Sequence, residues 1–98
     1  MALKTSYDFD LLVNLMQDIV ITELEKQLKS PEAAQVCKCQ ECILDITAIA
    51  LNHLKPVYGS LDSFKGAMHK EHITQKSEEE VVKAVKKAIY KVVSHPAH

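Results

Sequence analysis

The stretch from Cys42 to Leu54, CILDITAIALNHL, is apolar on nearly every side of a helix drawn through it. Ile43, Ile46, Ile49, Ala50 and Leu54 make one face and Leu44, Ala48 and Leu51 another, with Asp45 and Asn52 as the polar exceptions. A helix apolar all round has to be covered by its neighbours, so this segment predicts a central rod, beginning near Gln40 and ending at Lys55 and Pro56, with amphipathic elements packed about it. The covers are legible on both sides. From Asp8 to Leu28, Phe9, Leu11, Leu12, Leu15, Met16, Ile19, Val20, Leu24 and Leu28 recur mostly at helical intervals, which predicts one long amphipathic helix ended by Ser30 and Pro31. Val13 and Ile21 widen its apolar arc, a hint that it also meets a second copy of the chain. Val81, Val82, Val85, Ile89, Val92 and Val93 make the stripe of a last helix, opened by a Ser77/Glu80 capping box and ended by Pro96. Between these, Gly59 and Gly66 bracket a segment in which Ser60 is read as the cap of a short helix through Ala67 and Met68. Two glycines and three prolines in 98 residues leave few places to turn, which argues against a sandwich or barrel of short strands. The expected fold class is therefore all-α: a compact bundle of three main helices plus one short helix, forming a single domain over residues 1–98.

Charge narrows the function. Twelve lysines stand against thirteen acids, a formal net charge of −1, so no global field steers the chain to nucleic acid or to an anionic membrane. There is no Arg, the residue whose planar fork best grips phosphate and guanine edges, so an anion site must use Lys, His or backbone amides. The opening MALKTSYDFDLLVNLM lacks the pattern of a secretory signal, and no apolar run approaches the roughly 20 residues of a membrane span. A cytoplasmic protein is expected.

The sharpest local motif is Cys37-Lys-Cys39-Gln-Glu-Cys42. An odd number of cysteines packed this closely does not suit a disulfide framework; a metal in a reducing compartment is the better reading. Cys39 and Cys42 at a helix start lie about 60° apart around the axis, so their sulfurs converge, and Cys37 joins them from the preceding loop. Soft thiolates select zinc, whose tetrahedral site takes four ligands, and the alternative is three thiols without metal. His69 and His72, in the segment before the last helix, are the candidates for a fourth ligand, ahead of His53, His95 and His98; a water or an outside ligand is also open.

Catalysis is not expected, because the sequence holds no glycine-rich phosphate loop, HExxH, nucleophile elbow or Ser-His-Asp arrangement. Asp45, the one carboxylate at helical spacing after Cys42, reads better as a first-turn acid favoured by the helix dipole than as a general base. Lys83, Lys87 and Lys91 share a face of the last helix, with Lys86 beside them; they suit either phosphates or solvent. Tyr58, after Pro56, offers a ring for stacking on a base, or a plug for the end of the central helix, the reading preferred here.

Taken as one block, CKCQECILDITAIALNHLKPVY resembles the late competence protein ComFB family, whose pattern CxxDIxAxALNxLxPxY is met by Cys42, Asp45, Ile46, Ala48, Ala50, Leu51, Asn52, Leu54, Pro56 and Tyr58. The preceding LVNLMQDIVITELEKQL resembles the family's first helix, and Pro96 with His98 its usual ending. The resemblance implies a compact helical domain, commonly a homodimer, with zinc at the cysteine turn in members that carry one, and a regulatory role tied to competence, motility or surface behaviour. Some relatives look like receptors for cyclic dinucleotides, chiefly cyclic di-GMP. The leading expectation is thus a cyclic dinucleotide receptor, for cyclic di-GMP or cyclic di-AMP, with Tyr58, Lys83, Lys87, Lys91 and Tyr90 as ligand contacts and an unidentified protein partner. The competing expectation is a zinc-stapled homodimeric adaptor with no nucleotide ligand, and a nucleic-acid accessory role is the weakest of the three.

Overall fold

A computed structural model describes residues 2–61 and 75–94, with the side chains of residues 2–61 and 78–94. Its helices are α1 (Leu3–Ser6), α2 (Leu15–Leu28), α3 (Gln40–Asn52) and α4 (Gln75–Ser94). A two-stranded antiparallel ribbon joins β1 (Leu12–Asn14) to β2 (Tyr58–Ser60), in the register Leu12↔Ser60, Val13↔Gly59 and Asn14↔Tyr58. The fold is mostly helical, not purely so.

That ribbon corrects the expected first helix. Helix α2 begins at Leu15, not Asp8, because the chain ahead of it takes two other conformations. Asp8 caps a 3-10 turn at Phe9–Leu11 by accepting the Asp10 N–H at 3.0 Å, and Leu12–Asn14 then pairs with the segment after α3. Asn14 is the junction. Its side-chain oxygen accepts the Met16 N–H at 3.1 Å as the N-cap of α2 and the Val57 N–H at 2.9 Å from the far side of the ribbon. The Leu15 N–H donates to the Val57 carbonyl at 2.8 Å, so the head of α2 and the segment that follows α3 are tied by two hydrogen bonds at one place. Ser60 is the last residue of β2; the short helix it was expected to cap, through Ala67 and Met68, falls outside the described residues, as does Pro96.

The core is the meeting of α2, α3 and α4, and it takes in the connector between the first two. Met16, Val20 and Leu24 are buried at intervals of four along α2, Cys42, Ile46 and Ala50 along α3, and Val81, Ala84, Val85, Ala88 and Val92 along α4. Ala33 and Val36 close the cluster from the connector, where Pro31–Ala33 forms a 3-10 turn. Val20, Ile46 and Val85 are fully buried, each contributing about 1.5–3 kcal/mol from removal of apolar surface from water. The most extensive packing is between α3 and α4, and the buried residues of these two helices include small ones, Ala50 and Ala88, with no exposed surface. Gln27 fastens α2 to α4 by donating to the Val82 carbonyl at 3.2 Å, held in place by Glu23 at 2.8 Å.

Two sequence expectations about faces change here. The buried stripe of α4 takes in Ala84 and Ala88 beside Val81, Val85 and Val92, and leaves Val93 exposed. Helix α3 is buried mainly on one face: on the second apolar face Leu51 is half-buried against the core, while Leu44 is 57% exposed and Ala48 is exposed, without cover among the described residues. Ser77 lies within the first turn of α4, which begins at Gln75, so it does not stand at the N-cap that a capping box requires.

Candidate metal centre

The N-terminus of α3 is built by its cysteines. Cys39 is the N-cap, extended at φ −72° and ψ 162°, and its sulfur accepts the Cys42 N–H at 3.5 Å, taking the place of the oxygen that Ser or Asp supplies at most helix starts. Gln40 and Glu41 continue the first turn and Glu41 supplies its acid; Asp45 lies a turn further on, exposed beside Lys91, so the helix-dipole role expected for Asp45 belongs to Glu41. Cys42 then turns into the core with no exposed surface, while Cys37 and Cys39 stay at the surface.

The three sulfurs lie within 4.8 Å of one another. Tetrahedral zinc with bonds of about 2.3 Å places its thiolates about 3.8 Å apart, so the cluster needs to close by no more than about an ångström to hold the ion. The donor set fits: three soft ligands at a helix N-terminus whose dipole favours negative charge.

Their ionisation is uneven. The Cys42 backbone N–H, followed by a hydrogen bond from the Cys37 side chain, holds the Cys39 thiol below its ordinary value. Burial pushes the Cys42 thiol up to about 12, with hydrogen bonding and negative charge at Cys39 and Cys37 adding to the rise. Without a cation, three thiolates would not coexist here at neutral pH. A divalent ion reverses that balance and drives protons off as it binds.

Among the histidines, His53 is the C-cap of α3, about 16 Å along the helix from Cys42, and so belongs to the other end of the molecule. His69 and His72, like His95 and His98, lie outside the described residues.

The residues read as ligand contacts fall in separate places. Tyr58 is 64% exposed on β2, so it does not plug the end of α3; it lines a depression with Asn14, Gln17, Asp18 and Asn52. Tyr90, 74% exposed, lines another depression of about 710 Å³ with Lys86, Lys26, Gln27 and Val36. Lys91 borders a third, smaller one with Asp45 and Ala48. Lys83 and Lys87 are exposed on α4. Sequence reading missed Lys26, because nothing in the spacing of α2 says that its last turn comes beside Lys86 and Tyr90. Among the described residues no helix is long and apolar enough to cross a membrane.

Fold and site together define a small helical protein with a three-thiol turn at one end of its middle helix and a two-stranded ribbon tied to the other. Among known families, residues 13–96 match the one described as Late competence development protein ComFB. The match takes in most of the 98 residues, and the chain belongs to the ComFB family, whose description ties it to late competence development. Comparison with curated proteins and with solved structures returned no match.

Proposed function

We propose that this chain is a regulatory binding protein without catalytic activity, in which zinc held by Cys37, Cys39 and Cys42 fixes the start of α3 and a cyclic dinucleotide is the ligand. The three sulfurs within 4.8 Å support the metal. For the ligand, the supporting observation is the depression of about 710 Å³ in which Tyr90 stands exposed beside Lys86 and Lys26. Its size falls in the usual range for small-molecule sites, and an exposed ring flanked by two ammonium groups suits a planar base carrying phosphates. Lys83, Lys87 and Lys91 add positive charge along the same helix. Titration calorimetry with cyclic di-GMP and cyclic di-AMP tests this reading. Binding by one of them, weakened by Tyr90→Ala, is the expected result; no heat from either, with no rise in melting temperature at saturating ligand, would remove the nucleotide.

The second reading, an adaptor that binds protein and no nucleotide, is favoured by the uncovered apolar residues. Leu44 on α3, Tyr58 on β2 and Tyr7 and Phe9 ahead of the ribbon are all more than half exposed. Exposed apolar area of this kind marks interaction surfaces, and a homodimer is its simplest occupant. Under this reading the protein forms a dimer whose melting temperature ignores every cyclic dinucleotide.

A further inference from the structure

Holding a metal requires three thiols, but it does not require them to be as unlike as these are. Cys39 is exposed at the N-cap of α3, with a backbone N–H aimed at its sulfur; Cys42, three residues on, is completely buried. An exposed thiol at a helix N-terminus, followed after two residues by a buried one, is suited to thiol–disulfide exchange. The first residue is exposed to solvent, and its sulfur accepts the Cys42 N–H at 3.5 Å. The second is shielded from solvent but lies within 4.8 Å of the first.

We propose that Cys39 and Cys42 form a dithiol–disulfide couple, with Cys39 as the attacking sulfur, Cys42 as the resolving sulfur and a low-molecular-weight disulfide of the glutathione class as the oxidant. In the first step the Cys39 thiolate attacks one sulfur of the small disulfide; a mixed disulfide forms, the S–S bond of the oxidant breaks, and one small thiolate leaves and takes up a proton. In the second, the Cys42 sulfur attacks the Cys39 sulfur and the mixed disulfide breaks; the Cys42 proton passes to the departing sulfur, and the other half of the oxidant leaves as a second thiol. Two protein thiols become one disulfide, and one small disulfide becomes two thiols.

Geometry selects this pair over Cys37 with Cys39. Residues two apart in extended chain have Cα atoms about 6.6 Å apart, close to the upper limit for a disulfide, whereas positions three apart at a helix start come about 5–6 Å apart, inside the usual range. Cys39 has the extended conformation and Cys37 precedes it outside any helix. In one respect the inference rests on the zinc reading: oxidation consumes two of the three metal-holding sulfurs, so it releases the ion.

The test uses the full chain as purified, and the same chain after chelator treatment, incubated with oxidised glutathione, quenched by alkylation and mapped by peptide mass spectrometry. The expected product has Cys39 joined to Cys42 and Cys37 alkylated, with zinc appearing in a colorimetric chelator in step with the disulfide. Cys42→Ser should retain glutathione on Cys39, and Cys39→Ser should slow oxidation by about tenfold or more. Circular dichroism checks that each variant folds, and Cys42→Ala replaces Cys42→Ser if the latter does not. A disulfide to Cys37, or glutathione settling on Cys37 in the Cys42 variant, overturns the assignment. If zinc is present but the chelated chain forms no disulfide, the couple fails and the metal reading stands. If no zinc is present and the Cys39–Cys42 disulfide forms, the metal reading fails and the couple stands.

Discussion

At the scale of the residue, one side chain carries an unusual share of the fold. Asn14 is at once the cap of α2 and the acceptor for the Val57 N–H, so Asn14→Ala leaves two backbone donors without their partner. The expected loss is about 2–3 kcal/mol, a cap and a long-range hydrogen bond together, read by denaturant unfolding. Asn14→Asp should keep most of it, because a carboxylate oxygen accepts the same two bonds. Cys42 makes a prediction about pH. In the metal-free protein its thiol rises from the ordinary 9.0 to about 12 on folding. Folding then disfavours the thiolate, so the stabilisation is fully present below pH 9, the unfolded value, and is lost as pH climbs from 9 toward 12. Thermal melts of chelator-treated protein across that window should fall more steeply for the natural chain than for Cys42→Ala; equal slopes would assign the alkaline loss to other groups.

At the scale of the element, the sequence reading succeeds where a helix is set by its own period and fails where a distant segment decides. Helix α3 was legible because its apolar residues and the Pro56 beyond them are local signals, and it runs from Gln40 to Asn52 close to expectation. The ribbon was not legible: three residues of β1 pair with three of β2 across more than forty positions, and their apolar side chains happen to continue the period of α2. One local signal would have exposed it. Asn14 followed by Gln17 has the spacing of a helix start, with a preferred N-cap residue and Gln at the third helical position. The thiol turn was legible as a cluster because ligand spacing is local. The Lys26–Lys86–Tyr90 depression was not, since it is made by the ends of two helices that only the packing brings together. Burial on α3 gives a graded prediction: Ile46→Ala should cost about 2–5 kcal/mol, while Leu44→Ala, more than half exposed, should cost little in the isolated chain. A large loss for Leu44→Ala would mean that its face is covered, as the proposed homodimer requires.

At the scale of the whole molecule, the two ends of α3 are fixed by different chemistry. The C-terminal end is held by the Asn14 and Val57 hydrogen bonds to the ribbon, and the N-terminal end by the thiol turn. A core of this size, built from Ile, Leu, Val and Ala with only five aromatic residues in the chain, leaves limited reserve, so a metal at one end should matter to the stability of the whole. Elemental analysis of the protein purified without chelator tests that account most directly. It predicts close to one zinc per chain, lost together with several degrees of melting temperature in Cys39→Ser. Protein that folds with no metal, and whose three cysteines are all rapidly alkylated in the native state, would contradict it.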